Sequence, residues 1–183
     1  MKVVLLHGSM RKNGNTALLA REFLCGCADS GHEVEKFRLA DMNIRDCLGC
    51  AACRKNGGKC VQQDDMQQIY AKMQEADVIV LASPVYFYTW TSLMKRMIDR
   101  TFAVEKLLTR KTFYLIAAAA APEEQYVHTM LDSFHQYVDC FQGEGNTEGG
   151  YLIGYHTRLP GDIRNSPAMA QAYTMGKNIK YPL

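Results

Sequence analysis

Short runs of apolar residues alternate along the chain with stretches in which apolar residues recur at helical spacing. Continuous apolar runs are typical of strands buried on both faces, whereas a helical period indicates an amphipathic helix. The predicted strands cover 3–6, 33–39, 77–82, 112–119 and 150–155. The predicted helices cover 15–30, 64 or 65 to about 75, a segment that begins at 91 or 92, 122 to about 140, and 167 to about 179. The pattern therefore predicts five successive β/α units.

This order of elements predicts an α/β fold. Buried strands that alternate with helices form a parallel sheet covered on both faces, and right-handed crossovers make that sheet doubly wound. The expected fold is a doubly wound five-stranded parallel sheet with helices on both faces, in a single domain over 1–183 with a cysteine-rich insert at about 40–63. Ligands of such sheets bind at the carboxyl ends of the strands, near the switch in strand order. The loops after strands one, three and four are therefore the expected places for chemistry.

The loop after the first strand has the composition of an anion-binding site. It runs from Gly8 to Thr16 (GSMRKNGNT) into the start of a helix. Backbone N–H groups and the positive end of the helix dipole favour an anion at such a point. Ser9, Asn15 and Thr16 add hydrogen bonds, and Arg11 adds charge. A Walker A ending and a GxGxxG motif are both missing, which disfavours a P-loop or a Rossmann dinucleotide site. The alternative is a polar loop that only caps the helix.

The loop after the third strand is rich in aromatic residues. It reads Ser83-Pro84-Val85-Tyr86-Phe87-Tyr88-Thr89-Trp90. A flat aromatic ligand gains contact area from such rings, and the backbone between Pro84 and Phe87 is placed to bond the edge of a heterocycle. Packing in a core or a dimer interface is the alternative, with Phe87 and Trp90 as the interface candidates.

Four of the seven cysteines lie in the insert, as Cys47-x2-Cys50-x2-Cys53-x6-Cys60. A compact set of four thiolates is able to hold a [4Fe–4S] cluster. Free structural or redox-labile thiols and a tetrahedral zinc site are the two alternatives, although the C-x2-C-x2-C spacing is cramped for zinc. The other three, Cys25, Cys27 and Cys140, lie on predicted helices and are expected to be small core residues.

Composition narrows the classes of partner. Lys plus Arg is 21 and Asp plus Glu is 19, with no basic run, so nucleic acid is not an expected partner. The longest apolar run is far shorter than a membrane helix requires, and no signal peptide is evident. The sequence therefore predicts a cytoplasmic protein that does not contact a membrane.

Taken together, GSMRKNGNT and SPVYFYTWTSLMKRMIDR resemble the NADPH-dependent FMN reductase and iron-sulfur flavoprotein family of the flavodoxin-like superfamily. The resemblance implies a flavodoxin-like fold. It also implies that the FMN phosphate is held by Ser9, Arg11, Asn13, Asn15 and Thr16, and that the isoalloxazine and ribityl groups are contacted by Pro84, Val85, Tyr86 and Phe87. The loop after strand four departs from the family because it is a run of alanines. Only backbone groups, at Ala118 and Ala119, are therefore expected to serve the flavin there.

The resemblance also predicts the activity. We expect an FMN-dependent oxidoreductase that takes a hydride from NAD(P)H and reduces a quinone, a flavin, a metal ion or another acceptor, including a redox protein. The alternatives are an iron-sulfur electron-transfer module and a non-catalytic FMN-binding redox sensor. A homodimer or homotetramer is expected from a flat methionine and aromatic surface over 88–97. A weaker indication is the Gly161-Asp162-Ile163 segment, which in this superfamily flanks the flavin of a neighbouring subunit.

Overall fold

In a computed structural model that describes residues 1–141 and 143–179, five strands form one parallel sheet in the order β2-β1-β3-β4-β5. The strands are β1 (Lys2–His7), β2 (Glu33–Arg38), β3 (Val78–Pro84), β4 (Thr112–Ala118) and β5 (Thr147–Gly154). The predicted doubly wound parallel sheet is confirmed. Because the order reverses between β1 and β3, the loops after these two strands flank the crevice in which such sheets bind ligands.

Helices cover both faces of the sheet. They are α1 (Asn15–Asp29), α2 (Ala52–Lys55), α3 (Met66–Glu75), α4 (Ser92–Arg100), α5 (His128–Asp139) and α6 (Ala168–Lys177). Successive residues of each strand point to opposite faces, so Val3 and Leu5 pack with α1 and α6, whereas Val4 and Leu6 pack with α3, α4 and α5. Every helix among the described residues is too short or too polar to cross a bilayer.

Helices α1 and α6 approach each other closely through two glycines. A Cβ built on Gly26 would lie 2.1 Å from the Tyr173 carbonyl oxygen, and one built on Gly176 would lie 2.0 Å from the Phe23 carbonyl oxygen. No side chain fits at such distances, so these two positions fix how near the helices pack.

Two predicted element starts were wrong, and so was the description of the insert as a loop. Helix α5 begins at His128 rather than at 122, because 122–126 are exposed and the buried apolar positions start only at Val127. Strand β5 begins earlier than predicted, at Thr147, and continues past a register shift opposite Phe113 and Tyr114. The insert is not all loop, since it contains α2. The assignment of 1–183 to one domain stays a prediction, and residues 142 and 180–183 lie outside the described part.

Burial corrects two other expectations. Met94 and Met97 are buried because α4 packs them into the core, and Trp90, two residues before α4, is buried in the same core cluster. They therefore form no flat surface over 88–97. Of the three helical cysteines, only Cys27 is a core residue. Burial raises the pKa of the Cys27 thiol to about 12, whereas Cys25 and Cys140 are exposed.

Candidate functional site

The loop after β1 is held tightly against the start of α4. The Gly8 amide donates to the Ala82 carbonyl at 2.8 Å, and the Gly8 carbonyl accepts from Thr91 Oγ1 at 2.6 Å. A Cβ on Gly8 would lie 2.8 Å from Cβ of Met94. The same Thr91 hydroxyl accepts from the Met94 amide at 3.2 Å and so caps α4. One threonine thus joins the two loops that flank the crevice, and sequence reasoning had given it only the role of a helix start.

The N-terminus of α1 is free for an anion. Gly14 precedes the helix with an extended backbone and makes no side-chain cap, and the first turn carries no acidic residue. The first helical N–H groups and the dipole therefore favour negative charge at this point. Ser9 is buried, and its hydroxyl accepts from the Arg11 amide at 3.2 Å. Thr16 is also buried, whereas Arg11 and Asn13 are exposed beside the loop.

Asn15 has a different role from the one implied by the family resemblance. Its Nδ2 donates to the Leu159 carbonyl at 2.8 Å, and its Oδ1 accepts from the Gly161 amide at 2.8 Å. The side chain is buried and ties the start of α1 to the loop after β5. Only its backbone amide is therefore left to face a phosphate. The same bonds place Gly161 beside the loop over 8–16 of its own chain (the phosphate loop).

Arg38, at the end of β2, is a contributor that sequence reasoning missed. Its Nη2 donates to the Met10 carbonyl at 2.7 Å, and its Nη1 pairs with Asp41. Its Nε is buried and has no hydrogen-bond partner among the described residues. Parallel pairing puts Arg38 level with His7, next to the phosphate loop. Arg38 therefore holds this loop in place and adds positive charge beside it, a role that only the sheet register reveals.

His7 is the last residue of β1 and lies directly before the loop. It is fully buried, and within the described part of the chain neither ring nitrogen has a partner. Burial lowers the pKa of His7 to about 4, helped by the positive charges of Lys36 and Arg38. The imidazole is therefore neutral at pH 7 and adds no charge to the phosphate site.

The aromatic loop forms a tight turn that projects from the sheet edge. Tyr86 and Thr89 exchange backbone hydrogen bonds at 3.0 and 3.1 Å. The two residues between them, Phe87 and Tyr88, have φ values of 47° and 69°. These left-handed values define a type I′ geometry that non-glycine residues adopt at a cost of about 1 kcal/mol or more each. Phe87 is 97% exposed, Tyr88 60% and Tyr86 50%. The turn therefore presents aromatic rings to solvent at the expected flavin position, and such strain is common at ligand sites.

Nearer the sheet, Pro84 and Val85 are half-buried, and the Val85 amide donates to the Ala118 carbonyl at 2.9 Å. Ala119 donates its amide to Gly154 and accepts from Thr157 through its carbonyl, at 2.8 and 2.9 Å. The Ala118 carbonyl and both backbone groups of Ala119 thus bond within the protein, and the two residues are buried at the end of β4. Their contact with a flavin stays a prediction.

The four insert cysteines line one cavity, away from the carboxyl edge of the sheet. The cavity has a volume of ≈ 550 Å³ and is also lined by residues at the C-terminal ends of α4 and α5 and by Cys140, which follows α5. Cys47 and Cys50 are exposed, and Cys53 and Cys60 are partly buried. All are free thiols. Among residues 1–141 and 143–179, no three His, Cys, Asp or Glu side chains are grouped closely enough to hold a single metal ion.

A buried ion pair between Arg100 and Asp64 lies where the cysteine insert meets α3. Arg100 Nη1 lies 2.7 Å from Asp64 Oδ2, and Nη2 lies 3.0 Å from Oδ1, with both side chains almost fully buried. Burial opposes ionisation of Asp64, but hydrogen bonds from Arg100 and Arg45 outweigh it, so the pKa of Asp64 lies below its usual value. Asp64 accepts from the Met66 amide at the start of α3. The predicted helix-start role is therefore only part of what Asp64 does.

A family model described as NADPH-dependent FMN reductase matches residues 1–141. The chain belongs to the NADPH-dependent FMN reductase family. It is therefore an oxidoreductase of a flavin-binding family, and the phosphate loop and aromatic turn lie inside the matched region.

Relatives of this FMN reductase family member include iron-sulfur flavoproteins. One from Methanocaldococcus jannaschii is 34% identical over 98% of this chain and 95% of its own length. One from Archaeoglobus fulgidus is 32% identical over 98% of this chain and 79% of its own length. An NAD(P)H:quinone oxidoreductase structure from Methanothermobacter marburgensis superposes with a TM-score of 0.75 at 18% identity, covering 98% of this chain and 95% of that one. At that identity the superposition shows the fold, which is flavodoxin-like.

Proposed function

We propose that the protein binds FMN at the crevice between β1 and β3 and transfers electrons from NAD(P)H to a small-molecule acceptor or a redox protein. The observation that carries this proposal is the juxtaposition at one sheet edge of an uncapped, glycine-bounded helix N-terminus and a turn of exposed aromatic residues. The first suits a phosphate and the second suits a flat ring system. When bound, FMN supplies hydride acceptance from a nicotinamide and release of electrons to an acceptor.

The protein's own part is to bind and orient. The amides from Gly14 onward and the Arg11 guanidinium hold the phosphate, while Arg38 fixes the loop through the Met10 carbonyl. Pro84, Val85 and Tyr86 line the ring side, with Ala118 next to Pro84 on the neighbouring strand. His7 is uncharged and engages none of these groups. The proposed hydride transfer needs no side chain to act as an acid or a base, so the residues supply position and electrostatics.

Matched ligands test the site directly. FMN and riboflavin share the ring system, but only FMN carries the phosphate. A variant that affects the two affinities differently therefore distinguishes the phosphate side of the site from the ring side. Arg11→Gln is expected to weaken FMN binding several-fold and leave riboflavin binding unchanged, because it removes a charge that faces only the phosphate. Tyr86→Ala is expected to weaken both. Quenching of flavin fluorescence measures both affinities. Equal affinities of the wild-type protein for FMN and riboflavin would contradict the phosphate site.

The electron donor is tested by rapid mixing. The FMN-loaded protein is mixed anaerobically with NADPH and, separately, with NADH, and the flavin absorption band is followed. Bleaching with either nucleotide, and recovery on adding a quinone, free flavin or ferric complex, supports the reductase. No bleaching with either, together with reduction by a ferredoxin, would replace it with an electron carrier.

We also propose that the insert holds a [4Fe–4S] cluster through Cys47, Cys50, Cys53 and Cys60, which would relay single electrons. The supporting observations are that all four thiols line one cavity of ≈ 550 Å³, and that the relatives from Methanocaldococcus jannaschii and Archaeoglobus fulgidus are named iron-sulfur flavoproteins. Iron and acid-labile sulfide are measured after anaerobic purification and reconstitution. The expected result is about four of each per chain. Zinc, or iron-free thiols, would overturn the cluster.

The cytoplasm remains the predicted location. The proposed partner is a second copy of this chain, in a homodimer or homotetramer. Phe87 and Tyr88 at the turn, with Met10 and Leu159 on neighbouring loops, are large apolar side chains left exposed at the same edge of the sheet. Light scattering during size exclusion measures the assembly. Phe87→Ser is expected to shift the assembly towards monomer, and a monomeric wild-type protein would contradict the proposal.

A further inference from the structure

One guanidinium joins both ends of the cysteine insert. Arg100 Nη1 donates to the Arg45 carbonyl at 2.8 Å, two residues before Cys47, and Nη2 lies 3.6 Å from the Cys60 sulfur. Both of these nitrogens also bond Asp64, which follows the insert. Four of the five N–H groups of the side chain are thus used, and the fifth, on Nε, is buried without a partner in the described part of the chain.

Such an arrangement needs a reason beyond folding. A buried ion pair contributes little net stability, because the desolvation of two charges offsets their attraction. The helix α4 that carries Arg100 is otherwise anchored by Met94 and Met97 in the core. The distinctive contact is the N–H···S bond from a charged donor to Cys60, at the wall of the cavity that all four insert thiols share. Hydrogen bonds to sulfur and local charge are among the factors that set the potential of an iron-sulfur cluster.

We infer that Arg100 is a positioning residue of the cysteine insert, which fixes the Cys60 sulfur at the cavity wall and raises the reduction potential of a cluster bound there. The inference rests on the proposed [4Fe–4S] site. Asp64 orients the guanidinium through its two hydrogen bonds and balances its charge. The donated hydrogen bond withdraws electron density from the sulfur, so the reduced, more negative cluster gains most from it.

Three variants separate this role from a merely structural one. Asp64→Asn with Arg100→Gln removes both buried charges together and so avoids leaving one unpaired. Asp64→Asn alone keeps the donor and leaves its positive charge unbalanced. Arg96→Gln is the matched control, because Arg96 is also on α4 and bonds the insert, through Asp46 at 2.8 Å and the Ile44 carbonyl at 3.3 Å, rather than through a cysteine sulfur.

The reduction potential of the reconstituted holoprotein is measured by dye-mediated titration. The double variant is expected to be about tenfold harder to reduce, a shift of about 59 mV to more negative potential for one electron. Asp64→Asn alone is expected to shift the potential in the opposite direction, and Arg96→Gln to shift it much less than the double variant, because the Arg96–Asp46 pair is exposed to solvent and screened. Two results would overturn the inference and leave the proposed cluster intact. The first is that the variants bind iron but show the wild-type reduction potential. The second is that the double variant and Asp64→Asn shift the potential in the same direction.

Amide hydrogen exchange of the metal-free protein provides the second readout. Exchange over 45–63 is expected to be faster in the double variant than in Arg96→Gln, because Arg100 bonds the Arg45 carbonyl, Asp64 and the Cys60 sulfur, whereas Arg96 bonds Ile44 and Asp46 at the N-terminal side of the insert. If the wild-type protein takes up no iron and sulfide, the cluster and its tuning both fail. Unchanged exchange in the double variant would overturn the positioning role on its own.

Discussion

The hydroxyl of Thr91 is a single group on which two functional loops depend. It donates to the Gly8 carbonyl at 2.6 Å and accepts from the Met94 amide at 3.2 Å, at a buried position. Thr91→Val keeps the shape of the side chain and removes only the hydroxyl. The variant is therefore expected to weaken both the capping of α4 and the attachment of the phosphate loop, without creating a cavity.

The magnitude follows from the two lost bonds. Loss of an N-cap costs about 1 kcal/mol, and loss of a buried hydrogen bond to a carbonyl costs about 1 kcal/mol more. The free energy of unfolding should therefore fall by about 2 kcal/mol, which is about thirtyfold in the folding equilibrium. Because Gly8 opens the phosphate loop, the affinity for FMN should fall about fivefold, the equivalent of one lost hydrogen bond.

Urea unfolding of the flavin-free protein, followed by circular dichroism, measures the stability, and quenching of flavin fluorescence measures the affinity. A lower midpoint with an unchanged slope is expected, since the denatured state exposes the same surface. Thr91→Ser is the control: it keeps the hydroxyl and should cost less than 1 kcal/mol for the lost methyl group. Equal losses in the valine and serine variants would show that packing, and not the hydroxyl, joins the loops.

Three further predictions follow from the fold. The folded-state pKa of His7 is about 4, below its unfolded value of about 6.5, so the unfolded state binds the extra proton. The free energy of unfolding should therefore be highest above pH 6.5 and fall by about 3 kcal/mol towards pH 4. His7→Leu should remove this part of the pH dependence, as measured by urea unfolding across that range. A variant with the same pH profile as the wild-type protein would contradict the prediction. Gly176→Ala should lower the free energy of unfolding by about 3 kcal/mol, because its Cβ would lie 2.0 Å from the Phe23 carbonyl oxygen. Thermal unfolding measures this change, and the affinity for FMN should stay the same. A change below 1 kcal/mol would contradict the close packing of α1 and α6. Arg38→Gln should weaken FMN binding about fivefold, because it releases the Met10 carbonyl, and Arg38→Lys should restore part of the affinity. Equal losses of affinity for riboflavin and for FMN would place the effect of Arg38 outside the phosphate loop.

Local signals were enough to predict the sheet, and they also indicate an anion site in the loop after β1. Continuous apolar runs such as Val78–Leu81 identify a buried strand, because a strand covered on both faces has no polar side. Glycine, hydroxyl and basic residues between such a strand and a helix indicate an anion site, because the backbone amides there lack partners within the helix. These features depend on neighbours in sequence, and so the sequence alone determined them.

Helix limits and residue roles depended on contacts that are distant along the chain. Asn15 looked like a phosphate ligand, but the loop after β5 takes up its side chain. Arg38 gains its role only because β2 lies beside β1, and Arg100 only because α4 brings it to Asp64 and Cys60. Each polar side chain bonds whichever partner the packing of the sheet and helices brings within reach. Sequence therefore determined which kinds of side chain lie in each loop, and the tertiary structure decided which partners those side chains bond.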